Sequence, residues 1–148
     1  MAGSRAPRGA TALRDFRYPK LWLALWIVGM LLTVLACLIR LPESPLRVPV
    51  PHLDKIEHLI AYFVLSAWAA MLFATRRALL HAGIGLFGLG LAIEAAQSML
   101  PWRSANLADA LANLLGVLGG SALVLTPAAR VLQRLDAWVP GRAPRAAG

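Results

Sequence analysis

Residues 21–39 read LWLALWIVGMLLTVLACLI, a run without one charged side chain. As a helix rising 1.5 Å per residue, a run of this length covers about 28 Å, the hydrocarbon thickness of a bilayer. A core helix of a soluble domain needs a polar face toward water, and this run has none. Three more apolar runs follow, at 56–75, 79–100 and 107–125. The second is charged only in its first turn. The fourth carries Asp109, Asn113 and Ser121 but no Lys or Arg to line a polar face, so it reads as a span and not as a surface helix. The expected fold is all-α, a polytopic membrane bundle of four transmembrane helices.

Composition points the same way. The chain of 148 residues is 59% hydrophobic and 15% charged, with a mean hydropathy of +0.64. One domain of this length, if soluble, has too much surface for its volume to hide that much apolar area. The net charge of +8 would suit a nucleic-acid partner in a soluble protein. Here the arginines cluster just outside the apolar runs, and no folded basic face remains once the runs are set aside, so no nucleic-acid partner is expected. The single cysteine, Cys37, allows no intrachain disulfide. It follows Val34-Leu35-Ala36, a loose match to a lipoprotein cleavage box, but the apolar run continues past it and a membrane-buried side chain is expected.

Basic residues set the orientation. Arg5, Arg8, Arg14, Arg17 and Lys20 precede the first run, Arg76 and Arg77 separate the second from the third, and Arg130, Arg134, Arg142 and Arg145 follow the fourth. The other two loops are balanced or poor in positive charge. The positive-inside rule then predicts cytoplasmic tails at 1–20 and 126–148 around a membrane domain at 21–125. Trp22 and Trp26 are expected as interface anchors, and 132–139 as a short interfacial helix with Trp138 at the headgroups. Pro42, Pro45, Pro49 and Pro51 make the first loop extended and stiff.

This topology gathers the unusual polar residues at one leaflet. Asp54, Lys55, Glu57, His58 and Tyr62 fall at the outer end of span two, Glu94 and Gln97 in the outer half of span three, and Asp109 and Asn113 at the outer end of span four. Arg103, Ser104 and Asn106 lie in the loop between. Asp54, His58 and Tyr62 are spaced by four and share a helix stripe, as do Asp109, Asn113, Gly116 and Gly120. Those glycines let a neighbouring helix approach, and Gly83, Gly85, Gly88 and Gly90 suggest the same for span three. The glycine faces of spans three and four also suit a homo-oligomer. A carboxylate in hydrocarbon costs at least about 2.5 kcal/mol, so Glu94 should face the bundle and have a partner, with Arg103, Gln97, His58 and Asn113 as candidates. A network of this kind can simply fix helix register, or it can mark a site.

Asp54-Lys55-x-x-His58-x-x-x-Tyr62, Glu94-x-x-Gln97 and Pro101-x-Arg103-x-x-x-x-x-Asp109-x-x-x-Asn113-x-x-Gly116, in this order on membrane helices, resemble the VanZ-like family of small bacterial membrane proteins. The resemblance covers spans two to four. The family's founding member is associated with low-level resistance to teicoplanin, a glycopeptide antibiotic acting at the cell surface. The resemblance therefore implies a bacterial inner-membrane protein with a cell-envelope role, and it supplies no reaction. Trp102 stands where the family pattern suggests a small residue, which bears on access to the site.

Three functions are open at this point. The first is a binding or modulating protein, in which Arg103, Lys55 and His58 hold a phosphate or carboxylate of a lipid-linked cell-wall precursor and Asn113, Gln97 and Tyr62 orient it. The second is an enzyme using His58, oriented by Asp54, with Glu94 or Asp109 as a further acid or base. A metal version would use His58, Glu94 and Asp109, but the sequence has no H-x-x-x-H or H-E-x-x-H spacing, and no metal or other cofactor is expected. The third, a proton-coupled carrier, needs more helices or an internal repeat.

Overall fold

Two glycines of the fourth apolar run, Gly116 and Gly120, lie against the backbone of the second run and set the architecture. The computed structural model describes residues 12–39, 53–101 and 106–140. The proline-rich first loop with His52, the third-loop residues Trp102, Arg103, Ser104 and Ala105, and the tails at 1–11 and 141–148 lie outside the described residues. The elements are α1 (Pro19–Leu38), α2 (Leu53–Leu72), α3 (Arg76–Gln97), α4 (Leu107–Ala122), short 3-10 turns at Leu123–Leu125 and Pro127–Arg130, and α5 (Val131–Trp138). The first three helices, and α4 with the turn that extends it to Leu125, are each long and apolar enough to cross a membrane. Among the described residues there is no strand, only an isolated bridge between Leu13 and Phe73.

The fold class is thus the one expected, with boundaries shifted by polar groups that hydropathy undercounts. Helix α2 begins at Leu53, not at 56, taking Asp54 and Lys55 into its first turn, where an acidic side chain suits the exposed N–H groups. It stops at Leu72 because the chain ahead of α1 pairs with its end. Arg14 N–H donates to Leu72 O at 2.9 Å and Ala74 N–H to Ala12 O at 2.8 Å, while Arg14 Nη2 donates to Ala70 O at 3.2 Å. These contacts satisfy carbonyls that a helix end leaves without partners. Thr75 then caps α3, its Oγ1 accepting from Ala78 N–H at 3.1 Å.

The amino-terminal segment is therefore docked from Ala12 onward, and α5 docks beside it. The buried Asp136 carboxylate accepts from the N–H of Arg17, the N–H of Tyr18 and the Trp22 indole. Burial opposes its charge, but these donors outweigh burial and hold the carboxyl below the ordinary carboxylate range. Trp22 and Trp26 both make packing contacts within the protein. Trp26 is buried, donates to Leu65 O at 2.9 Å and meets Phe73 edge to face; Trp22 packs on Trp68. Trp138 is exposed.

The core lies along α2. Its buried face includes Tyr62, Leu65, Ser66, Ala69, Ala70 and Leu72, while Val28, Leu31, Leu32 and Leu35 of α1, Leu80 and Ile84 of α3 and Leu115 and Leu118 of α4 point outward. An apolar outer surface of this extent suits lipid and not water. A Cβ built on Gly116 would sit 2.6 Å from Leu59 O, and one on Gly120 would sit 2.3 Å from Phe63 O. Only glycine permits that approach, so the small-residue stripe joins α4 to α2 within the chain. In α3, a Cβ on Gly90 would meet Asn113, whereas Gly85 and Gly88 have open space and serve no such contact.

A paired substitution tests this. Gly120→Val should push α2 and α4 apart and lower the unfolding midpoint in detergent, by about 1–3 kcal/mol as overpacking does. Gly88→Ala should leave the midpoint unchanged or raise it. Equal effects of the two, measured by thermal unfolding of the purified protein, would contradict the close approach.

Candidate functional site

The close α2–α4 contact aligns their polar ends in register. Both helices run the same way, and partners across the contact are separated by a nearly constant interval in sequence. Lys55 Nζ donates to Asp109 Oδ1 at 3.0 Å, a pair 54 residues apart. His58 Nδ1 and Asn113 Oδ1 lie 3.0 Å apart and are separated by 55 residues. At the other end, Ser66 Oγ and Ser121 Oγ are 2.8 Å apart, again 55 residues in sequence. Ser66 donates to Val117 O at 2.8 Å, so Ser121 is the donor in the serine pair.

The His58–Asn113 contact also sets a proton. The Asn113 oxygen is an acceptor only, so the His58 Nδ1 facing it donates, and in the neutral imidazole the lone pair falls on Nε2. The histidine is thus oriented by Asn113, not by Asp54 as the sequence spacing suggests. Asp54 is partly exposed and pairs with Lys55 at 2.9 Å. Lys55 is held by Asp54 and Asp109 together, whereas its place in the sequence suggests a side chain free to reach headgroups or an anion.

Helix α3 supplies Glu94, buried at 7% exposure. One carboxylate oxygen, Oε2, accepts from Asn106 N–H at 3.2 Å, and the other, Oε1, has no hydrogen-bond partner. Asn106 is also the cap of α4, its Oδ1 accepting from Ala108 N–H at 3.0 Å. One residue therefore starts α4 and fixes Glu94. Gln97, on the same stripe as Glu94, turns elsewhere. Its Nε2 donates to Cys37 O at 2.9 Å, tying α3 to a carbonyl in the last turn of α1. Its role in this geometry is to join helices.

One ring nitrogen of His58 and one carboxylate oxygen each of Glu94 and Asp109 all lie within 4.8 Å of one another. Tyr62 Oη and Asn113 Nδ2 are buried beside this group without partners, and both face Gly90, whose absent side chain leaves them room. Seven of the nine site residues expected from sequence, Asp54, Lys55, His58, Tyr62, Glu94, Asp109 and Asn113, meet at one end of α2, α3 and α4. Gln97 borders them on the α1 side, and Arg103 lies outside the described residues.

A cleft of about 280 Å³ opens beside the group, between α1 and α2. Leu32, Thr33, Ala36 and Cys37 form one wall and Asp54, Glu57, His58, Ala61 and Tyr62 the other. Sequence reasoning missed the α1 wall, because Leu32 and Ala36 are indistinguishable there from lipid-facing residues. It also passed over the backbone of Asn106, although an Asn immediately before an apolar run is a helix-start signal. At the opposite end of the bundle a second, basic hollow is lined by Arg14, Arg130, Gln133 and Arg134. No family model matches the chain, and neither a curated protein nor a solved structure is similar to it.

The His58–Asn113 contact should be energetically coupled. Asn113→Ala leaves a buried imidazole N–H without an acceptor and should destabilise by about 1–3 kcal/mol. His58→Ala with Asn113→Ala should cost less than the two single changes added, by about 0.5–3 kcal/mol. Strict additivity in equilibrium unfolding would remove the contact.

Proposed function

We propose that this chain is a VanZ-like protein of the bacterial inner membrane, with its polar site outward and a cell-envelope role, binding or modulating a lipid-linked envelope component. One observation carries the reading, the cleft between α1 and α2, with an apolar wall from α1 and a polar wall from α2. A ligand with a polar head and an apolar chain matches both walls. It can enter sideways from the lipid, because α1 exposes Leu31, Leu32 and Leu35 and touches the bundle lightly. Burying such a chain against Leu32 and Ala36 contributes about 0.8 kcal/mol per methylene, and the head supplies selectivity through His58 and Tyr62.

The orientation draws support from the two ends of the bundle. Arg14, Arg130 and Arg134 gather at one end, and Asp54, His58, Glu94 and Asp109 at the other. The positive-inside rule puts the basic end in the cytoplasm. A cysteine introduced at Ser104 in a Cys37→Ser background should react with a membrane-impermeant maleimide in permeabilised-outer-membrane cells without lysis of the inner membrane. Reaction only after lysis would point the site to the cytoplasm and remove the envelope reading.

A second reading rests on the same residues, acid–base chemistry on a lipid or glycan precursor. His58 and Glu94 lie within 4.8 Å of each other, and Glu94 Oε1 is unpartnered, which suits proton transfer. Binding and catalysis separate in one experiment. Purified protein offered a polyprenyl pyrophosphate against excess phosphatidylglycerol should retain the polyprenyl lipid, observed by native mass spectrometry. Ala36→Trp, which fills the cleft, should reduce retention at least tenfold. Equal retention of both lipids, or no effect of Ala36→Trp, would refute the binding reading. Conversion of the lipid that is lost in Glu94→Gln would favour the enzyme.

A further inference from the structure

We infer that His58, Glu94 and Asp109 form a divalent-cation site, one imidazole and two carboxylates drawn from three helices. The donor atoms lie within 4.8 Å of one another, and all three residues are buried. Around tetrahedral zinc, donors at 2.0–2.2 Å from the ion sit about 3.3 Å apart, so the three donors would have to draw closer to hold an ion.

The second observation is how the three side chains are held. Each has one polar atom bound to the protein and one left over. Glu94 Oε2 accepts from Asn106 N–H, and Oε1 has no partner. Asp109 Oδ1 accepts from Lys55, leaving Oδ2. His58 Nδ1 faces Asn113 Oδ1, leaving Nε2 as the basic nitrogen. Outer hydrogen bonds that orient metal ligands have this pattern, one contact per ligand with the coordinating atom spared. A network built only to fix helix register has no reason to leave an oxygen of the buried Glu94 carboxylate unpaired, because an unpaired buried polar atom costs about 1–3 kcal/mol.

Charge gives the third argument. Lys55 pairs with both Asp54 and Asp109. With Glu94 the ionised carboxylates outnumber it by two at the end of an apolar bundle, where uncompensated charge is expensive. A dication offsets that excess. The donor set suits zinc or manganese better than magnesium or calcium, which favour oxygen alone. Three protein ligands leave room for a further one, as at open catalytic or ligand-binding sites. The inference stands whether or not a lipid occupies the neighbouring cleft.

Zinc itself is the probe. The chain has three histidines, so replacing His52 and His81 with alanine leaves His58 alone. Full-length protein of this background, purified in detergent and stripped with a chelator, should bind one Zn²⁺ per chain by titration calorimetry. Glu94→Gln and Asp109→Asn should each weaken binding at least tenfold while the far-ultraviolet circular dichroism and elution volume stay unchanged. No stoichiometric binding by the parent, or equal binding by Glu94→Gln, would overturn the site. Should both carboxylate variants fail to fold, X-ray absorption of the zinc-loaded parent decides. One imidazole with oxygen neighbours supports the site, and sulfur from Cys37 overturns it.

Discussion

The contact of α4 with the backbone of α2, through Gly116 and Gly120, is the constraint on which the rest depends. Two helices that touch backbone to backbone have no freedom to slide. Their register is set at the glycine end, with Leu59, Phe63 and Ala67 against the two glycines. One and two turns away, the same register puts Asn113 opposite His58 and Asp109 opposite Lys55. The polar pairs are thus positioned by close backbone packing, to which Ser66 adds hydrogen bonds with Val117 O and Ser121 at the glycine end. This ordering matters in a membrane, where packing of small residues can hold helices that a hydrophobic effect does not drive together.

Helix α3 is joined to this pair by different means. Glycine brings it close at Gly90 alone, and Gln97 and Glu94 bind elements outside their own helix, the end of α1 and the start of α4. The loop before α4 thereby matters to the site through Asn106, whose main-chain N–H holds Glu94. A change in that loop can move a carboxylate without touching any charged residue. On the other side, α1 contributes a wall of the cleft and little else to the polar end, which leaves the route between α1 and α2 the one most easily opened.

Hydropathy made the four spans legible, since each run of 19 or more apolar residues has few other uses. Helix periodicity made the polar stripes legible too, because side chains four apart share a face whatever they touch. What the sequence could not display is which stripe meets which. His58 sits four residues after Asp54, and a local pairing is the natural expectation; the tertiary partner is Asn113, brought there by glycines one and two turns further on. Lys55 looks free in the sequence and is clamped between two aspartates in space. The tryptophans of α1 also have partners that the sequence does not display: Trp26 finds a carbonyl and Trp22 a carboxylate inside the protein.

The electrostatics of the site carry one more step. Asp54 and Glu57 on the cleft wall, and Glu94 and Asp109 beside His58, share a single basic residue among the described ones, Lys55, and that residue is already paired twice. A bare phosphate approaching this wall would meet net negative charge at low dielectric, where repulsion between like charges is several-fold stronger than in water. Recognition of an anionic headgroup here therefore requires a positive charge not held by Asp54 and Asp109. A dication bound by His58, Glu94 and Asp109 supplies one at the right place and removes most of the negative excess while keeping an open coordination position. Arg103, three residues before Asn106 in sequence, is another source. The two differ in what they demand of the ligand. A metal accepts a single oxygen from any direction left open, whereas a guanidinium prefers two oxygens in its plane. The chemistry of the headgroup that binds would reveal which cation the site uses.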